Sequence, residues 1–156
     1  MTLDDAQPND IDELPLIRNS AARLLSGREH SQFELQRKLT QKGFQSALIA
    51  QVIAEFQEAN LQSDRRYAES LIRSAYNKGK GPTFITQTLH QHDIELSDIH
   101  SLIYKDEWDW YELARKVREK RFGDALPTDF HQTQKQKRFL QYRGFSSSHI
   151  NEAFHS

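Results

Sequence analysis

The sequence predicts an all-α protein of three tandem three-helix, helix-turn-helix-like repeats in an elongated arrangement, on three observations. Leu39-x-x-x-Gly43-Phe44 with Ile49 and Ile53 returns as Leu140-x-x-x-Gly144-Phe145 with Ile150 and Phe154, and a fainter copy, Leu89-x-x-x-Asp93-Ile94 with Ile99 and Ile103, stands between them. The offsets of 50 and 51 residues are the period of a repeat architecture. Apolar residues recur at helical spacing, and no segment sustains the period-two alternation of a strand, so nine helices and no sheet are expected. Finally, 37% of the 156 residues are hydrophobic, 28% are charged and the mean hydropathy is −0.80, which suits small serial cores better than one thick core.

Residues 1–15 hold five acids, no base and both Pro8 and Pro15, which predicts an acidic, disordered leader. Repeat 1 then occupies 16–61. Its first helix carries Ile17, Ala21, Leu24 and Leu25 on one stripe and stops at Gly27. Ser31-Gln-Phe-Glu34 reads as a capping box that opens the second helix, with Leu35 and Leu39 inward and Gly43 ending it in the left-handed conformation. Ser46 is expected to cap the third, which carries Ile49, Val52, Ile53 and Phe56.

Repeat 2, over 62–106, opens at Ser63-Asp64 and runs through Tyr67, Ala68, Leu71, Ile72 and Ala75 to Gly79. Gly81-Pro82 starts its second helix, because proline at the first helical position forfeits no hydrogen bond; Ile85 and Leu89 point inward. Ser97 is expected to cap a helix with Ile99, Leu102 and Ile103 inward. Repeat 3, over 107–156, has Trp110, Leu113, Ala114 and Val117 on one helix and a longer connection through Gly123 and Pro127. Phe139 and Leu140 precede Gly144, and Ser146–Ser148 cap a last helix with Ile150 and Phe154. Gln136 and Arg143 fall toward the inward side of the eighth helix, which predicts a wetter third core.

No catalytic motif is present. The chain has no cysteine, which removes disulfides and thiolate chemistry, and it shows no signal peptide and no apolar run of bilayer length, so a cytoplasmic protein with no membrane contact is expected. Gly79-Lys80-Gly81-Pro82 lacks the spacing of a phosphate loop and reads as a helix boundary. His90 and His92 point to different faces of a helix, with no cluster to complete a metal shell. Asp106, Glu107 and Asp109 read as acids favoured before a helix start, and Trp108 and Trp110 as packing between repeats. No cofactor, metal or enzymatic activity is expected.

The net charge of −1 is unevenly spread: −5 over residues 1–15, +2 over 16–60, −2 over 61–109 and +4 over 110–156. On the seventh helix Arg115 and Arg118 fall on one flank of the apolar stripe, Lys116 and Lys120 on the other. On the eighth, His131, Lys135, Arg138 and Tyr142 align in one stripe. With Arg37 and Lys38 of repeat 1, these ten residues form the candidate partner-binding set, suited to an anionic surface, whether carboxylate-rich protein or phosphate backbone.

In four places these residues carry a resemblance to a known family. They are Arg28-Glu-His-Ser31-x-x-Glu34-Leu35-x-x-Lys38-Leu39-x-x-x-Gly43-Phe44, Leu61-Gln-Ser-Asp64-Arg-Arg-Tyr67-Ala68, Lys80-Gly81-Pro82-x-x-Ile85-x-x-x-Leu89 and Arg143-Gly144-Phe145-Ser146. In order and spacing, from Arg18 to Phe154, the chain resembles the RecX family of regulators of the RecA recombinase. Asp93 departs from that pattern, which has glycine there, as does Ser63, where a second acid is common. The resemblance implies a curved, tandem-repeat protein without a catalytic centre that binds the RecA–DNA filament. There it would restrain ATP hydrolysis, filament growth and strand exchange in recombination and repair, acting as a monomer with weak or indirect DNA contact. The alternative is a helix-turn-helix-like nucleic-acid-binding module, against which the sequence pI of about 6.7 argues.

Overall fold

A computed structural model describes the backbone of residues 8–155 and the side chains from Glu13 onward. Among the described residues there are nine helices and no strand: α1 Pro8–Gly27, α2 Gln32–Gln41, α3 Ser46–Glu58, α4 Asp64–Asn77, α5 Pro82–Gln91, α6 Ile99–Ile103, α7 Trp110–Phe122, α8 Phe130–Tyr142 and α9 Ser147–Glu152. None of them is long and apolar enough to cross a membrane.

Residues 1–7 of the expected leader lie outside the described residues, whereas 8–15 are helical. Tertiary contact accounts for that difference. Leu14 packs on the core of repeat 1, and the Glu13 carboxylate accepts from the Gln45 amide at 3.3 Å at the start of α3. Pro15 sits inside α1 and costs it one backbone donor.

The chain forms two compact units, Met1–Ala68 and Glu69–Ser156. In the first, Ile17, Ala21, Leu35, Leu39, Leu48, Ile49, Val52, Ile53 and Phe56 make a continuous apolar core beneath Leu24, Leu25 and Phe44. Arg18 braces α1 on α3 through two 2.9 Å hydrogen bonds to Glu55. Ser31 accepts from the Glu34 amide at 3.1 Å, the first half of the expected capping box. The Glu34 carboxylate is engaged by the Arg28 guanidinium and lies 3.9 Å from Lys38 Nζ. Burial opposes ionisation of Glu34, but the Arg28 hydrogen bonds and the charges of Arg28 and Lys38 hold it below the usual carboxylate range.

His30, 2% exposed, completes this network: Lys38 Nζ, which can only donate, lies 3.1 Å from Nε2, and Nδ1 lies 3.1 Å from the Arg28 carbonyl. The neutral ring protonated on Nδ1 satisfies both contacts. Burial, together with the Arg28 and Lys38 charges, keeps its proton affinity low. At the far end of the unit Asp64 accepts from the Gln32 amide at 2.8 Å, so the first residue of repeat 2's opening helix caps α2 of repeat 1.

The second unit, from Glu69 on, holds most of repeat 2 and all of repeat 3. The turn before α5 is stitched to the turn after α8 by backbone bonds: Gly81 N donates to Arg143 O and Thr83 N to Gly144 O, both at 2.9 Å. A Cβ on Gly81 would stand 2.5 Å from the Gly144 carbonyl oxygen, and one on Gly144, at φ +96°, 2.8 Å from Phe84. Tyr76 of α4 packs against Trp108 and Trp110 at centroid distances of 5.0 and 5.3 Å, and the Trp110 indole donates to Ile103 O at 2.8 Å. The tryptophans are therefore packing residues between repeats.

The third core is smaller: Ala114, Leu140, Phe145, Ile150 and Ala153, under Leu113, Val117, Phe139 and Phe154. Gln136 is buried within the same repeat and its Oε1 finds no partner, consistent with the wetter core expected. Two caps differ from expectation. Ser46 is the first residue of α3, with Gln45 at the cap, and Asp98 rather than Ser97 precedes α6. Serine is permissive at either place, so tertiary packing chose the register. Gly43, Asp93 and Gly144 all adopt positive φ, at +90°, +53° and +96°, which keeps the repeat's turn even where glycine is lost.

Candidate interaction surface

Helix α7 starts under the Asp109 carboxylate, which accepts from the Glu112 amide at 3.0 Å, the cap role read from the acids there. From that start Lys116 and Lys120 emerge into solvent. Arg115 is exposed as well, with its guanidinium held by Glu112 one turn back. Arg118 is a correction. It is 2% exposed, donates from Nε to Ala153 O at 2.9 Å and lies over the Phe154 ring at 5.5 Å. A helical wheel puts Arg118 on a flank, but α9 packs on that flank and supplies the carbonyl of its C-cap Ala153, so this cation is a core strut.

On α8, capped by Asp129 accepting from Gln132 N at 2.7 Å, His131, Lys135, Arg138 and Tyr142 all face solvent as one stripe, Tyr142 being 90% exposed. In the first unit Arg37 is exposed, 6.0 Å over the Phe33 ring, whereas Lys38 is half-buried and committed to His30 and Glu34. That engagement removes Lys38 from the freely presented cations.

Beside the α8 stripe, a groove of about 590 Å³ opens between α7, α8 and the turn after α4. It collects Lys116 and Lys120 with Lys78, Arg121 and Arg143, while none of the four stripe residues lines it. Arg143 is fixed there by donating to the carbonyls of Lys78 and, at 3.2 Å, Gly79. Gly79 is required for this approach. Its φ is +72°, and a Cβ would lie 2.8 Å from Val117 Cγ2 and 3.2 Å from Arg143 Nη2. Lys78, Arg121 and Arg143 were absent from the expected set, since no sequence spacing shows the α4 turn folding against α7 and α8. The Arg143-Gly144 and Gly81-Pro82 pairs were visible as motifs; their mutual contact was not.

Gly79-Lys80-Gly81-Pro82 is the helix boundary expected, with Gly81 at the cap and Pro82 at the first position of α5. His149 forms a capping box with Ser146, its Nδ1 lying 3.4 Å from the Ser146 amide and 2.8 Å from the hydroxyl; burial keeps its proton affinity low. Among the described residues no three His, Cys, Asp or Glu side chains gather as a metal-holding group.

Family models described as the first, second and third three-helix domains of RecX match residues 18–56, 63–101 and 107–154. Regulatory protein RecX of Vibrio campbellii is 40% identical over 136 residues, covering 87% of this chain and 88% of that protein. Its counterpart in Halorhodospira halophila is 36% identical over 137 residues, covering 88% and 85%. The crystal structure of RecX from Lactobacillus salivarius superposes with a TM-score of 0.73 at 25% identity, over 92% of this chain and 95% of that one. A second RecX crystal structure gives 0.74 at 26%, over 92% and 72%. With all three domain models matched in order and relatives aligned over most of both chains, this protein belongs to the RecX family of regulatory proteins.

Proposed function

We propose that this protein binds the RecA–DNA filament and restrains it, lowering ATP hydrolysis, filament extension and strand exchange during recombination and repair. It does so as a cytoplasmic monomer with no catalytic centre of its own. The observation that carries this reading is the pairing of all three RecX domain matches with exposed cations concentrated in repeat 3, where Lys116, Lys120, Lys135 and Arg138 offer a surface to an anionic partner. A repeating chain also suits a repeating target. Added below stoichiometry to RecA filaments on single-stranded DNA, the protein is expected to slow ATP hydrolysis and shorten the filaments. Unchanged hydrolysis and length would refute the proposal.

Direct nucleic-acid binding is the second reading, favoured by the +4 charge of residues 110–156. The net charge of −1 for the whole chain limits it to weak contact. Affinity for bare DNA measured over a salt series decides the point: several phosphate contacts require a steep fall with salt, and a flat profile excludes them.

A further inference from the structure

The groove of repeat 3 joins two chemistries. Leu113, Val117 and Phe139 are half-buried and form its floor, while exposed Lys78, Lys116, Lys120 and Arg121 form its rim together with anchored Arg143. No acidic side chain lines it, and none of these five cations makes an ion pair among the described residues. A volume of about 590 Å³ is room for several side chains of a ligand.

Three helices end here. Asn77 closes α4, Lys120 and Arg121 lie in the last turn of α7, and Arg143 is the C-cap of α8. Helix C-termini present carbonyl oxygens and the negative end of the dipole, the reverse of the amide-lined helix starts that hold phosphate. That background disfavours a dense, doubly charged anion and suits single carboxylates spread along the rim. Nor is Phe139 an open stacking platform for a base. The Arg121 guanidinium lies over its ring at 5.7 Å, and Phe122 meets it edge-on at 5.4 Å and 89°.

The geometry points to a docking groove for an acidic peptide segment of a partner protein. Its separated carboxylates meet the Lys116, Lys120 and Arg121 rim, and a bulky apolar side chain between them seats on Leu113 and Val117. This deepens the proposed function by giving the chemistry of the partner's contact, and it rests on that reading only in taking the partner to be a protein.

The test is fluorescence anisotropy of a labelled short peptide, rich in Asp and Glu with Leu and Phe at its centre, titrated with the full chain. Binding is expected, weakened at least about tenfold when serines replace the Leu and Phe, and by a similar factor in Lys116→Glu/Lys120→Glu. Lys116→Ala/Lys120→Ala gives a milder loss in the same direction, and Arg23→Glu and Lys105→Glu, exposed cations outside the groove, leave affinity unchanged. No peptide binding, equal binding by the groove variants, or indifference to the central apolar pair overturns the proposal. So does a single-stranded oligonucleotide that binds in a groove-dependent way where the peptide does not. RecA inhibition without peptide binding would sink the groove and leave the function standing; peptide binding without any effect on RecA would do the reverse.

Discussion

Repeat 1 closes around nine buried apolar residues drawn from α1, α2 and α3, whereas repeat 3 closes around five, two of them alanines, and admits Arg118, Gln136 and His149 to its interior. The same three-helix pattern tolerates both because of where the polar groups go. In repeat 1 the buried polar residues His30, Ser31 and Glu34 sit at the loop joining α1 to α2 and are bonded to its motif. In repeat 3 an arginine reaches through the packing to the Ala153 carbonyl at the C-terminal end of α9. The core of repeat 3 thus depends on a charged side chain that a hydrophobicity pattern counts as surface.

The largest effect should therefore come from Arg118. Removing it leaves the buried Ala153 carbonyl unsatisfied and a void beneath Phe154, so Arg118→Ala is expected to lower stability by about 3 kcal/mol in urea unfolding. A loss under about 1 kcal/mol would show that α9 does not need the strut. Next come two equivalent glycines. Gly144→Ala drives a Cβ into Phe84 and should cost about 2–3 kcal/mol, while Gly43→Ala, at φ +90° with nothing within 4 Å, should cost only about 1 kcal/mol of backbone strain. Equal costs would mean that the stitch between repeats 2 and 3 is not tight.

The histidines test both ends of the comparison by pH. His30 and His149 are each held below the ordinary value of 6.5, so the unfolded chain takes up their protons more readily. Stability is full above about pH 6.5 and falls as pH drops through the window beneath it. In repeat 1 the proton would face Lys38 Nζ; in repeat 3 it would break the Ser146 box. Urea midpoints over pH 5–8 check this, and His149→Gln should flatten the part that belongs to the second unit. The smallest effect is a gain: Asp93 holds φ +53°, and Asp93→Gly should stabilise by about 0.5–1 kcal/mol in thermal unfolding.

Much of the fold was legible because helix stops are chemical. Gly27, Gly43, Gly81-Pro82 and Gly144 mark boundaries that hold, and the inward position of Gln136 on a wheel matches its burial in repeat 3. Side-chain caps were less legible, since neighbouring residues such as Ser97 and Asp98 compete and packing decides. Of the candidate surface, the α8 stripe and Lys116 and Lys120 were readable from periodicity. Arg118 was misplaced because a wheel knows nothing of α9, and Lys78, Arg121 and Arg143 were missed because a groove between distant turns has no spacing to read.

The exposed cations of repeat 3 and the larger apolar core of repeat 1 lead us to propose that repeat 1 serves as scaffold and repeat 3 as grip. Inhibition of RecA-filament ATP hydrolysis should be compared for the unaltered protein, Lys116→Glu/Lys120→Glu and Arg37→Glu, each confirmed folded by its helical signal. Half-inhibition is expected to need at least about tenfold more of the repeat 3 variant, and less than about threefold more of Arg37→Glu. The opposite order, or an unaffected repeat 3 variant, would contradict the proposal.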